Sequence, residues 1–93
     1  MPYKEKPIIK QYRTIGAVAE KFDIPTSKIR YYIDEYFKDW FDVERDKKGR
    51  RQFKHRDVKL IEAIRYLIVE KGKTLEGVKM SLGPRIYLFD KYL

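Results

Sequence analysis

Ile15, Val18, Ala19 and Phe22 recur at i, i+3, i+4 and i+7, the spacing that lines one face of a helix, and the pattern then stops. Thr14 stands where a side-chain oxygen caps such a helix. Asp23 stands where a residue tolerant of left-handed backbone ends it in a tight turn. Ile24 and Pro25 lead directly into a second periodic stretch, with Thr26 as its predicted cap. So abrupt a reversal restricts the chain to short helices packed on one another, and 93 residues suffice for a single modest core.

The second stretch divides cleanly by face. At about 100° per residue, Ile29, Tyr32, Ile33 and Tyr36 fall on one side, while Ser27, Arg30, Tyr31 and Asp34 fall on the other. The first set is predicted to be core, Tyr32 included, and the second to meet solvent or a partner. Two short helices joined by a few turn residues, the second with a polar face, form the helix-turn-helix pattern.

Beyond it the periodicity changes. Trp40, Phe41 and Val43 suit a strand, Asp46-Lys47-Lys48-Gly49 is a turn signal, and Arg51-Gln52-Phe53 suits the returning strand. A hairpin with a basic tip of this kind is a wing, and Phe53 is expected beneath it. A long helix is predicted over residues 55–71, ending at Gly72, with Val58, Ile61, Ile64, Leu67 and Ile68 buried. Thr74 is predicted to cap a fourth helix carrying Leu75, Val78 and Leu82, closed by Gly83-Pro84. The expected fold is mainly α, with about four helices and a two-stranded β wing. Residues 1–13, with two prolines and no periodicity, read as an extended arm; 14–82 form the domain and 83–93 an apolar tail.

Charge points to a polyanionic partner. Twenty-two Lys and Arg against fourteen Asp and Glu give a net charge of +8. Residues 45–59 hold eight of the cations (Arg45, Lys47, Lys48, Arg50, Arg51, Lys54, Arg56, Lys59) against Asp46 and Asp57, a local balance of +6. Lys4, Lys6, Lys10 and Arg13 add a second basic group in the arm. Charge concentrated on one excursion of the chain reads as a contact surface, although a charge run also serves plain solvation.

Several function classes lack their residues. There is no cysteine, hence no disulfide, thiolate nucleophile or zinc-thiolate site, a composition that suits the cytoplasm. His55 is the only histidine and has no second ligand pattern beside it, which argues against a metal. No Ser-His-Asp arrangement and no phosphate-cradling glycine loop suggest catalysis, and no cofactor is expected. No apolar run is long enough to span a bilayer, and the N-terminus has no signal-peptide pattern.

The ordered set of residues resembles a known family. Tyr12, Ile15-Gly16-x-Val18-Ala19, Ile24 and Ser27-x-Ile29-Arg30-Tyr31-Tyr32 are similar to the opening helix-turn-helix of MerR-type transcriptional regulators. Arg45, Gly49-x-Arg51-x-Phe53 and Asp57-Val58-x-x-Ile61 look like that family's wing and third helix, and Gly72-x-Thr74-Leu75-x-x-Val78-Lys79 like its fourth. The resemblance covers roughly residues 12–82. It implies a winged helix-turn-helix that binds a pseudo-palindromic operator as a dimer. The second helix would lie in the major groove, with the wing and the paired third and fourth helices on the flanking backbone. Ser27, Arg30 and Tyr31 match the recognition-helix contacts and Arg50 and Arg51 those of the wing; Thr26, Lys28, Arg45, Lys47 and Lys48 complete the candidate DNA-binding set.

Departures from the family pattern limit what carries over. Asp23 stands where glycine is usual, Ile33 where glutamate is usual, and the segment between Tyr36 and Arg45 is slightly long. The tail supplies at most two turns of a fifth helix, so inducer sensing, metal binding and promoter activation are not carried over. Ile86, Phe89 and Leu93 share a helical side and fit either the core of one chain or a dimer seam. The leading expectation is sequence-specific double-stranded DNA binding, with a homodimer and no small-molecule effector site. Two other readings remain open at this point: an excisionase-like architectural factor that bends DNA, and a winged-helix module that binds protein through the apolar tail. An anionic-membrane role comes last, because the basic residues sit on a hairpin and not along an amphipathic helix.

Overall fold

A computed structural model describes residues 13–92. Helix α1 spans Ile15–Phe22 and opens as expected, with the Thr14 hydroxyl accepting the Ala17 amide at 3.1 Å. Asp23 ends it in the left-handed region at φ 55° and ψ 49°, a conformation Asp adopts more readily than most residues. Helix α2 spans Thr26–Tyr31. Thr26, predicted as its cap, is instead its first helical residue: the Pro25 carbonyl accepts the Lys28 and Ile29 amides, and no side chain caps the start. The fixed φ of proline supplies the entry geometry that a capping side chain would otherwise secure.

The helix does not stop at Tyr31 but widens into a π-helical turn, Tyr32–Tyr36, closed by the Phe37 amide on the Tyr32 carbonyl at 2.8 Å. The wider turn lets Tyr32, Ile33 and Phe37 all reach the interior. Trp40 then ends a 3-10 turn, Lys38–Trp40, and does not begin a strand as its β-forming character suggested. Its ring stacks on Phe37 at 4.6 Å between centroids, so ring packing overrides strand propensity here. The wing ladder is correspondingly short. Strand β1 (Glu44–Arg45) pairs antiparallel with β2 (Arg51–Gln52), Glu44 opposite Gln52 and Arg45 opposite Arg51. Arg13 adds one bridge outside the hairpin, exchanging two backbone hydrogen bonds with Phe53. Lys4, Lys6 and Lys10 of the predicted arm lie outside the described residues.

Helix α3 spans His55–Val69 and runs through the centre of the molecule. Val58 and Ile61 join Val18, Phe22, Ile24, Ile29, Ile33 and Phe53 in one cluster. Leu60 and Ile64 join Tyr32, Phe37, Val78 and Leu82 in another. Leu60, fully buried, was not in the predicted stripe, whereas Leu67 and Ile68 are only half-buried. The helix ends two residues early, where Gly72 takes φ 66° and the Lys73 amide returns to the Leu67 carbonyl. Helix α4 spans Leu75–Leu82, with the Thr74 hydroxyl accepting the Gly77 amide at 3.0 Å as predicted.

Gly83-Pro84 does not close the fold. Gly83 is right-handed helical, and a 3-10 helix continues over Gly83–Tyr92. Proline is tolerated in the first turn of a helix, where its missing N–H has no partner to lose. Three residues per turn bring Ile86, Phe89 and Tyr92 into line. Ile86 and Phe89 pack on the α3–α4 cluster of their own chain, and Tyr92 approaches the ring of His55 at 5.3 Å. The expected alignment of Ile86 and Phe89 with Leu93 assumed an α-helix; Leu93 lies outside the described residues.

Two polar side chains are buried beside this core. The Arg56 guanidinium donates to the Trp40 carbonyl at 2.7 Å and to Asp90 at 3.3 Å, which ties the wing approach to the tail. Asp57 accepts the Lys54 amide at 3.0 Å, capping α3 from within, while its Oδ1 has no hydrogen-bond partner. Burial raises the Asp57 carboxyl above its ordinary value, against the Lys54 amide and the Lys54 and Arg56 cations, which favour the ionised form.

Phe53, fully buried between wing and α3, should cost about 3–5 kcal/mol when replaced by alanine, read from urea unfolding. For Asp57 the raised value means that the ionised carboxylate opposes folding: the cost is absent below 3.8 and complete above the folded-state value. Asp57→Asn should therefore become more stable relative to wild type as pH rises through that window. A stability difference independent of pH contradicts the assignment.

Candidate nucleic-acid interface

The polar face of α2 is turned outward. Ser27, Lys28, Arg30, Tyr31 and Asp34 are exposed and Thr26 is half-buried, while Ile29 on the opposite side is fully enclosed. Tyr31 keeps 44% of its surface accessible, and its ring leans on Tyr32 and Tyr36 at 6.4 and 6.1 Å. Tyr32, on the apolar side, is buried, and that burial raises its hydroxyl pKa.

The wing is built around one carboxylate. Asp46 Oδ1 accepts the amides of Lys48 and Arg50, both at 2.9 Å, and Oδ2 accepts Arg50 Nε at 2.9 Å. The backbone closes the same loop, Asp46 donating to the Arg50 carbonyl and accepting from the Gly49 amide. Gly49 sits at φ 83°, which a side chain would strain. Its carbonyl in turn accepts Arg45 Nη1 at 2.7 Å. The acid thus organises a loop that otherwise carries only cations. Hydrogen bonding from the Arg50 amide, reinforced by its guanidinium and the Lys48 amide, holds the Asp46 carboxyl below its ordinary value against the opposing effect of desolvation.

Wing and helix meet on one side of the molecule. Arg51 of β2 donates to, and is ion-paired with, Asp34 at the π turn. Beneath that pair, Phe53 and Val43 belong to the same cluster as Ile29 and Ile33. The candidate cations therefore divide by environment. Arg45 and Arg51 are engaged in holding the hairpin, and Arg50 braces the turn while its side chain stays 67% exposed. Lys28, Arg30, Lys47 and Lys48 are exposed and have no side-chain partner among the described residues.

A third element borders this face. Lys28, Tyr31 and Tyr32 share a shallow groove of about 310 Å³ with Ile68, Lys73, Thr74 and Leu75. The Tyr36 hydroxyl donates to Glu76 at 3.1 Å, and Lys79 Nζ lies 4.6 Å from the Tyr36 ring centroid. Partial burial first, and then the Glu76 hydrogen bond, raise the Tyr36 hydroxyl pKa. These contacts bring the start of α4 to the flank of α2. The family resemblance implies that α4 meets the DNA backbone but singles out no residue there, and the Thr74 cap is the signal the sequence offers.

A sequence model described as MerR HTH family regulatory protein matches residues 13–83. The chain belongs to the MerR helix-turn-helix family. It is accordingly a DNA-binding domain of transcription regulation, built as a winged helix-turn-helix. No curated protein matches the chain significantly. Within the MerR pattern, Asp23 performs the left-handed turn usually given to glycine, and the acidic residue facing the wing is Asp34, one position beyond Ile33.

Asp46→Ala should speed hydrogen exchange at the Lys48 and Arg50 amides, measured by NMR, while α3 amides keep their protection. Because the Asp46 value is lowered, the support it gives the turn is complete above 3.8 and is lost as pH falls through the lower folded-state value. Titration of wild type should thus leave the Lys48 and Arg50 amide shifts constant from neutral pH past that point. Movement already near neutral pH contradicts the assignment.

Proposed function

We propose that this MerR-family domain binds double-stranded DNA sequence-specifically in the cytoplasm, with α2 in the major groove and the wing on the flanking backbone. The observation that carries the proposal is the Arg51–Asp34 contact, which keeps the polar face of α2 and the cationic hairpin on one side. Arg30 supplies a planar donor fork that suits guanine O6 and N7, or a phosphate, in bidentate fashion. Ser27 and Tyr31 supply hydroxyls, and the Tyr31 ring offers an apolar surface to sugar. Lys28, Lys47, Lys48 and Arg50 neutralise phosphates, which gives affinity without sequence preference. Lys73, beside Lys28 and Tyr31 in the groove, extends that backbone contact to the α3–α4 turn.

The family implies a two-fold arrangement on a pseudo-palindromic site, and a homodimer is part of this proposal. Ile86 and Phe89 already pack within their own chain, so a seam at the tail would use its exposed side chains, Tyr87 and Leu88. No effector enters the mechanism proposed for the domain itself.

Selection of random duplexes against the purified protein should enrich one two-fold symmetric site. On that site Arg30→Ala should weaken binding by about 1–3 kcal/mol and relax selectivity at one position. Lys48→Ala should weaken all duplexes alike and reduce the slope of log K against log salt by about 0.9. An Arg30→Ala loss equal on selected and random duplex removes the base-reading role from this arginine.

A further inference from the structure

Asp34 poses an electrostatic problem that its position solves. A carboxylate on the face that carries Ser27, Arg30 and Tyr31 repels phosphate, and the simplest expectation is that its removal strengthens DNA binding. Yet its charge is taken up by Arg51, whose side chain is only 15% exposed against 44% for Asp34. Arg51 lies opposite Arg45 in the ladder, Arg45 holds the Gly49 carbonyl, and the Asp46 carboxylate gathers the amides of Lys48 and Arg50. The Asp34–Arg51 pair, the short ladder and the hydrogen bonds gathered by Asp46 therefore connect the π turn after α2 to the wing tip through one hairpin. Apolar packing of Val43 and Phe53 anchors the base of the hairpin, and the ladder beyond it is only two residue pairs long.

We propose that Asp34 is a positioning residue for DNA recognition: by clasping Arg51 it sets the wing tip at a fixed distance and angle from α2. It thereby sacrifices some affinity for any duplex in return for selectivity. The proposal rests on the DNA-binding reading and adds to it a role for an acidic residue that composition alone would place among the hindrances. Arg51 acts in this arrangement as the partner of Asp34, leaving phosphate contact to Lys47, Lys48 and Arg50. Asp34 is itself 44% exposed and the packing of Val43 and Phe53 still anchors the hairpin, so loss of the pair should loosen the wing without unfolding the domain.

The test compares Asp34→Asn, Arg51→Gln and the exchange Asp34→Arg with Arg51→Asp against wild type, on the selected site and on a random duplex. For Asp34→Asn the ratio of selected to random affinity should fall about fivefold, equivalent to about 1 kcal/mol. Affinity for the random duplex should rise, and its salt slope should steepen by about 0.9 as Arg51 becomes available to a phosphate. Arg51→Gln should lower the ratio without steepening the slope. The exchanged pair should restore the ratio, and melting temperatures should stay within about 3 °C. Equal strengthening on both duplexes by Asp34→Asn, with the ratio unchanged, overturns the proposal, as does an Asp34→Asn protein that no longer folds. If wild type enriches no site, the DNA-binding reading itself fails. The clasp is then tested in the free protein, where Asp34→Asn should speed amide exchange over residues 46–50 and an unchanged rate overturns it.

Discussion

Leu60 and Ile61 are neighbours in sequence, yet each is fully buried in a different apolar cluster, so α3 must be covered on two sides at once. One cover is the helix-turn-helix with the underside of the wing, and the other is the aromatic turn after α2, α4 and the tail. Small domains bury a limited fraction of their surface, and placing one apolar helix centrally lets every other element reach the interior with a single face. The opposite faces are left for charge. That is why α2 shows Ser27, Lys28, Arg30 and Tyr31 to solvent while Ile29 is fully enclosed.

The outward surface is organised by a few acids among many bases. Asp46 shapes the wing turn and Asp34 ties the wing to α2, while beneath the surface buried Asp57 caps α3 where the chain leaves the hairpin. Each is matched to hydrogen-bond donors at a place where the backbone would otherwise lack a partner or cations would repel. The contrast with Lys28, Arg30, Lys47 and Lys48, which have no side-chain partner among the described residues, marks a division of labour. Engaged arginines hold geometry; exposed cations are left to meet an anion.

What the sequence made legible was local. The Thr14 and Thr74 caps, the left-handed Asp23 and the division of α2 into two faces all follow from residue type and spacing within one turn, and all are present. What escaped was set by contacts far along the chain. Trp40 looked like strand because its β-forming character is local, whereas its stacking on Phe37 depends on a π turn that no spacing rule announces. The tail looked like a short α-helix closed off from α4, but Gly83 continues right-handed and the 3-10 geometry follows the groove beside α3 and α4. At the interface the outward set on α2 was readable by periodicity. The pairing of Arg51 with Asp34, seventeen residues apart, required the hairpin register to be known, and the placement of Lys73 beside Tyr31 required the packing of the α3–α4 turn against α2.

The central claim is that a single surface, formed by the polar face of α2 and the tip of the wing, meets a duplex. Titrating isotopically labelled protein with a short duplex and following backbone amides tests it most directly. The account predicts that the largest shift changes fall on residues 27–31 and 46–50, with a smaller set at 73–75. Glu62 and Tyr66 on the far flank of α3, and Tyr87 on the tail, should stay still. Shift changes centred on α3 and the tail, with α2 unmoved, would contradict the account.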